Sequence, residues 1–592
     1  MDDEQDSVFE YSVLPLEAGE FRILILHASS NPSASIYCSL VQEQLPGLEP
    51  YDALSYTWGK DDPNSIIKLN NCKFKIRENL HHALLQLRHT TEDRRIWIDA
   101  ICINQLSIPE RNVQVAQMKD IFANASLVAI WLGHDSNGAK KFALEYIPIL
   151  TKSIEEPGWV EADDGFRAAL DDEDFIKALN CVSYVLENPW WRRIWVIQEV
   201  AVAKRDPVVY AGAGSITWEQ LWEFHFVASD HHIFGLLYGD GVSSAAKEAL
   251  ADLHDGLGSF DSIARIREIQ YNGMEQPLGS ITVTGHRYRC TDLRDRIFAL
   301  LGLVNPPSTL QADYHLSRFR VNVLTMTHLM LESQDLRALS WITGSVDGHG
   351  DPSLPSWVPD FGDDRVYHSM FISTDQKILF GKGERLYSAS GSSYDYSSLQ
   401  FEDDGLVLVT RGCIIDSIRR LGDCSPRNSM LWPSVDQFSE VLKSWKTIAQ
   451  LPIDAAPSAD FWRTILVDRD ECAVKLPIGT FGKRLGPDAA ALPRTVEQET
   501  KLISKLYLTP GPHFGRRFVL TANGAMGLAP EMAEGGDQIC VLFGGEVPYV
   551  VRPLKEGYYK LVGECFVLGV MDSEALEDQK ARRDHFQEFR IK

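Results

Sequence analysis

The sequence predicts an α/β protein in three parts: a parallel sheet covered by helices at the N-terminus, a helical middle region, and a β-rich C-terminal region forming a small barrel or sheet. Three observations carry this. Between residues 80 and 133 helical and strand-like patterns alternate; from 216 to 335 helical spacing dominates; beyond 336 short alternating runs are separated by Gly and Pro. The expected divisions are 1–215, with core motifs at 51–200, then 216–335 and 336–592. At 592 residues the chain is long enough for two or three domains of the usual roughly 100–200 residues.

Taken in order, "FRILIL" and "YDALSYTW" are strand-like, and "SIIKLNNCKFKI" carries Asn70-Asn71 as a hairpin turn. "NLHHALLQLRH" places Leu80, Leu84 and Leu87 on one helical face. "RRIWIDAI" is a strand, 113–125 a helix and "SLVAIWLG" another strand, so helices connect strands as a parallel sheet requires. A charged helical insertion follows Gly133, and Pro189 stops the helix before "WWRRIWVIQE". "PVVYAG" is a strand and "TWEQLW" starts a helix; "DLRDRIFALLGL" is a helix stopped by Gly302 and "NPP". The C-terminal strands are expected in "LPSWVPDF", "GLVLVTRGCII", "RRFVLTANGAMGLAP", "DQICVLFGGEVPYVVRPL" and "GYYKLVGECFVLGV".

Composition narrows the function. With 58 Lys+Arg against 82 Asp+Glu the formal charge is -24, and no basic patch stands out, which argues against nucleic acid and anionic membranes as partners. Ten scattered cysteines without a C-x-x-C pair suit a reducing compartment, and no run reaches the roughly 18 apolar residues of a membrane span, so a soluble, cytoplasmic protein is expected. No G-x-S-x-G, phosphate loop, H-E-x-x-H or full G-x-G-x-x-G is present; "AGAGS" reads as a turn, and His81, His82 and His89 lack the i, i+4 spacing of a metal pair. No cofactor or metal is expected.

The candidate chemistry lies in "RRIWIDAICINQLSIPERNVQVAQM". Asp99 ends a strand, where open sheets place ligands, so Asp99, Asn104 and Gln105 either contact a ligand or tie down the loop through backbone hydrogen bonds. Ser107-Ile-Pro-Glu110 is a capping box, with Glu110 reaching back to the N–H of Ser107, worth about 1 kcal/mol. Arg111 follows it, and Glu110, Gln114 and Gln117 form a polar stripe that would line one edge of a crevice. Because Gln also serves in a capping box, Glu110→Gln is expected to cost little stability. In "WWRRIWVIQE" Arg193, Trp195 and Glu199 either bind a ring-bearing ligand or pin a helix.

"YDALSYTWG" at 51–59, "RRIWIDAICINQ…ERNVQVAQM" at 94–118 and "WRRIWVIQE" at 191–199 together resemble the three blocks of fungal HET (heterokaryon incompatibility) domains. Two departures are visible: Ser107 stands where that pattern usually has Asp, and Leu293 where it often has Pro. The resemblance implies a Rossmann-like, distantly TIR-related fold and an intracellular effector of non-self recognition and programmed cell death, activated by a protein partner or by self-association. It also implies two mechanisms. In one, a TIR-like hydrolase takes NAD as substrate, with Glu110 catalytic, Asp99 and Asn104 holding the sugar, and Trp58 or Trp195 stacking on a ring. In the other, the chain is a non-enzymatic scaffold acting by oligomerisation. A HET-like protein with a role unrelated to incompatibility is a third reading.

Overall fold

The computed structural model describes residues 7–47, 49–156, 165–230, 233–238, 242–286, 288–342, 351–362, 386–391, 399–425, 435–451, 458–469, 484–485, 489, 492–508, 512–577 and 586–592. The chain divides into two compact units, 1–276 with 287–315, and 277–286 with 316–592.

The first unit is built on a nine-stranded sheet of β1 (Glu20–Leu26), β2 (Tyr37–Gln44), β3 (Asp52–Tyr56), β4 (Ser65–Leu69), β5 (Cys72–Ile76), β6 (Arg94–Trp97), β7 (Leu127–Trp131), β8 (Val208–Ala211) and β9 (Gly214–Thr217), in the order β5-β4-β2-β1-β6-β3-β7-β8-β9. The parallel sheet expected from the sequence is part of a mixed one. Strands β6, β3, β7 and β8 run parallel, whereas β1–β2, β1–β6, β4–β5 and β8–β9 are antiparallel. Two of the antiparallel pairs are tight hairpins: Asn70 and Asn71, both at positive φ, close β4–β5, and Gly212 turns β8 into β9. The segments that cross between β3, β6, β7 and β8 contain helices, whereas β2 and β4, also parallel, are joined through β3 without one.

The crossing helices are α1 (Glu78–Leu87), the short α2 (Asp99–Cys102), α3 (Ile108–Asn124), α4 (Ala139–Glu155), α5 (Gly165–Ala169), α6 (Glu173–Leu186) and α7 (Trp195–Ala201); α8 (Trp218–Asp230) and α9 (Ser244–Tyr271) follow the last strand. Of the other helices expected between 216 and 335, α10 (Leu278–Gly285) and α12 (Arg318–Ser333) belong to the second unit and α11 (Asp295–Leu301) to the first. The core of the first unit is aromatic: Trp97, Trp131, Trp190 and Trp191 are fully buried, and Trp190 and Trp191 meet edge to face at 4.8 Å. α9 packs closely on α6 because Gly256 has no side chain; a Cβ there would lie 2.7 Å from Leu186 Cβ.

The second unit contains α13 (Val435–Ile448), α14 (Ala459–Ile465), α15 (Val496–Leu508) and the strands β10 (Gln400–Glu402), β11 (Val407–Cys424), β12 (Arg516–Thr521), β13 (Met526–Pro530), β14 (Gln538–Leu542), β15 (Tyr549–Pro553), β16 (Tyr558–Glu564), β17 (Phe566–Val567) and β18 (Gln587–Ile591). "LPSWVPDF" contributes turns rather than a strand, as its two prolines dictate. The 18-residue β11 is shared: it pairs with β18 over Leu408–Gly412, with β14 over Gly412–Ser417 and with β12 from Ile418. Bulges at Ile414/Asp416 and beyond Ile418 bend it. The pairings β11–β14–β15–β16–β18–β11 form a closed circuit. Among the described residues no helix is long and apolar enough to cross a membrane.

Gly412 lies where β18 and β14 both pair with β11, and a Cβ would come within 2.3 Å of Val541 O. Gly412→Ala is therefore expected to destabilise the second unit by about 2–3 kcal/mol, read as a lower urea midpoint. An unchanged midpoint would show that the crossing tolerates a methyl group.

Candidate functional site

Because β3, β6 and β7 run in the same direction, the residues that follow them emerge at one edge of the sheet. Trp58 follows β3, Asp99 follows β6, and the Trp58 indole N–H donates to Asp99 Oδ2 at 2.9 Å. Asp99 Oδ1 accepts the Ala100 N–H at 2.7 Å, its backbone carbonyl accepts the Gln105 amide at 2.9 Å, and the Arg77 guanidinium lies 5.5 Å over the Trp58 ring. Beneath this half-exposed rim, the Ser55 hydroxyl donates to Glu199 Oε2 and accepts the Trp190 indole N–H at 2.8 Å. Glu199 is 4% exposed. It is placed by α7, whose approach is set by a turn at Pro189–Arg192 that Asn188 caps. Arg193, from the same approach, donates to Tyr56 O.

Two carboxylates thus share one nearby guanidinium. Burial pushes Glu199 up to about 7, against the attraction of Arg193 and the Ser55 hydrogen bond, and the charge of Asp99 adds to the rise. Burial also raises Asp99, opposed by Arg193, Trp58 and the Ala100 N–H. A carboxyl that titrates near neutral pH beneath a rim of Trp, Asp and Arg can give and take protons. Among the described residues no group of three or more His, Cys, Asp or Glu side chains is arranged to hold a metal ion.

Glu110 is engaged elsewhere. Its Oε1 accepts from Arg22 Nη1 at 2.6 Å and from the Asn104 N–H at 2.7 Å, and its Oε2 from Arg22 Nη2 at 3.2 Å. Arg22 is fully buried and also donates to Leu14 O and Cys102 O. Only half of the expected capping box forms: Ser107 Oγ accepts the Glu110 N–H at 3.4 Å, while the Ser107 N–H goes to Asn104 O at 3.0 Å. Gln114 is buried rather than set on a crevice edge, donating to Glu20 O at 2.8 Å and to Gln117 at 3.1 Å.

Trp195 and Arg111 belong to a third cluster. The Trp195 indole donates to Asp295 Oδ2 at 3.1 Å, the Tyr314 hydroxyl donates to Asp295 Oδ1 at 2.6 Å, and Arg111 lies 4.0 Å over the Tyr314 ring. Burial raises Asp295 to about 6, against both hydrogen bonds. These contacts fasten α3 and α7 to the 292–314 segment. The structure therefore brings together Trp58, Asp99, Gln105, Arg193 and Glu199; it sets Glu110 and Asn104 around Arg22, and Arg111 and Trp195 around Asp295. Sequence reasoning missed Ser55 and Arg22. A lone Arg inside the apolar run "FRILIL" was the available signal for the second.

Residues 51–199 match the family described as Heterokaryon incompatibility protein (HET), and residues 484–587 match the Het-6 beta-barrel domain. The chain is 24% identical, over an alignment of 692 residues covering 98% of each chain, to heterokaryon incompatibility protein 6, OR allele, of Neurospora crassa. No solved structure matches it.

The geometry changes what two substitutions should do. Glu110→Gln leaves the buried Arg22 charge without its counter-ion, so the expected small cost is corrected to a loss of about 3 kcal/mol in thermal or urea unfolding. Adding Arg22→Met should return at least about 1 kcal/mol of it; a double variant no better than the single would place the cost elsewhere. For Glu199 the folded value lies above the usual 4.5, so its neutral form favours the fold: that contribution is full below about pH 4.5 and is lost as pH rises through about 7. Glu199→Gln should gain about 3 kcal/mol over wild type between pH 4.5 and 8, and parallel stability–pH curves would count against a raised Glu199.

Proposed function

We propose that this chain, which carries a fungal HET domain at 51–199, acts in heterokaryon incompatibility as an intracellular effector of non-self recognition and cell death, and that the Trp58–Asp99 rim following β3 and β6 is its reactive centre. The match to a named incompatibility protein over 98% of both chains supports the role. The reaction class proposed with it, hydrolysis of NAD at the bond between ribose and nicotinamide, is what the resemblance of the motif blocks to TIR-related domains implies. In that step nicotinamide leaves with the bonding electron pair, water adds its oxygen to the ribose carbon, and the proton released passes to a carboxylate. The geometry favours Glu199 over Glu110 as that carboxylate. The observation that carries the assignment is a buried acid raised to about 7 beneath Trp58, Asp99 and Arg193. Trp58 would take a ring face, Asp99 the ribose hydroxyls, and Arg193 would stabilise the ionised acids.

One observation favours the alternative of a scaffold signalling by assembly: Trp58 and Asp99 pair with each other, and Ser55 pairs with Glu199. Incubation of the purified protein with NAD separates the readings. Turnover that falls at least about 100-fold in Glu199→Gln, with the fold retained by circular dichroism, supports the hydrolase. A wild type that releases no nicotinamide, even when concentrated enough to self-associate, leaves the scaffold.

A further inference from the structure

Helix α4, "AKKFALEYIPILTKSIE", has two apolar faces. Ala143, Leu144, Ile147, Leu150 and Ile154 are buried against the first unit. Phe142, Tyr146 and Ile149, at i, i+4 and i+7, form a separate outward stripe. The Phe142 and Tyr146 rings stack at 5.4 Å, yet Phe142 is 45% and Ile149 58% exposed. An amphipathic helix already seated on its core needs no such second stripe, which exposes apolar area at a cost unless something covers it.

The charges beside the stripe say what covers it. Lys141, Glu145, Lys152 and Glu156 follow at i, i+4, i+11 and i+15, which on a helix of about 3.6 residues per turn is one flank. All four are exposed, and Lys141 and Glu145 approach to 3.7 Å within the chain. Laid beside a second α4 in the same direction, Lys meets Lys and Glu meets Glu. Laid in the opposite direction, Lys141 faces Glu156 and Glu145 faces Lys152, each pair occurring twice about a two-fold axis, with Pro148 and Ile149 at the crossing. The pattern is self-complementary in the antiparallel sense alone, as an isologous dimer requires.

We propose that the outer face of α4 is a docking surface for a second copy of this chain, the two α4 helices crossing antiparallel with Ile149 at the crossing, Tyr146 beside it and Phe142 toward each end, and Lys–Glu pairs along one flank. The dimer stands apart from the chemistry at that rim and holds whether or not NAD is cleaved.

Sedimentation velocity on the full chain tests it, with circular dichroism melts to show that each variant folds. Wild type is expected to dimerise, more weakly at high salt, and Ile149→Ser to be monomeric. Glu145→Lys and Lys152→Glu each place like charges opposite one another twice, and each should weaken the dimer by about tenfold or more. When the two single variants are mixed in equal amounts, the mixed dimer sets position 145 of each copy against the opposite charge at position 152 of the other. The mixture should therefore dimerise about as tightly as wild type. A wild type monomeric through about 100 μM, single variants that dimerise as tightly as wild type, or a mixture no tighter than its components each overturns the proposal.

Discussion

The first unit is organised around one buried ion pair. Arg22 sits in the middle of β1, wholly out of water, and its guanidinium reaches Leu14 O, Cys102 O and both oxygens of Glu110. Tyr11 covers it at 4.9 Å and donates its hydroxyl to Ile101 O at 2.8 Å. A charge so placed is expensive unless every donor finds an acceptor. Here the acceptors come from the segment before β1, from the turn after β6 and from the first turn of α3. Satisfying Arg22 therefore sets the path of residues 99–110 and, with it, where Asp99 stands.

A second constraint works through scarcity of positive charge. In a chain with formal charge -24, Asp99 and Glu199 face each other's field with Arg193 as their principal cation, and burial holds both toward the neutral form. Ser55 and Trp190 supply a hydrogen-bonded chain that keeps Glu199 in place without neutralising it. Asp295, another raised acid of this unit, is tied by Tyr314 and Trp195, so its proton is held within a joint between elements.

Much of this was legible locally. Asn70-Asn71 announced a hairpin, Ser107 a helix start and the 80–133 alternation a helix-covered sheet, since each depends on neighbours a few residues apart. What depended on distant pairing was not. β1 enters antiparallel between β2 and β6, and no local period encodes that. Glu110 read as a cap because its true partner lies 88 residues away, and Glu199 read as one member of an Arg–Trp segment because Ser55, 144 residues earlier, forms the other half of its environment. Asp99 and Trp58 were both named, but the hydrogen bond joining them follows from the parallel pairing of β3 and β6.

The sharing of β11 has a consequence in time. Leu408–Gly412 pair with residues 587–591, which emerge from the ribosome some 180 residues later, so until then one side of that strand lacks its neighbour. At roughly 5–20 residues per second, that side stays unpaired for on the order of ten to forty seconds of synthesis. During this interval an apolar strand with a bare hydrogen-bonding edge is a substrate for chaperones or for its own neighbours on a polysome. Closure of the β11–β14–β15–β16–β18 circuit therefore waits on residues 587–591.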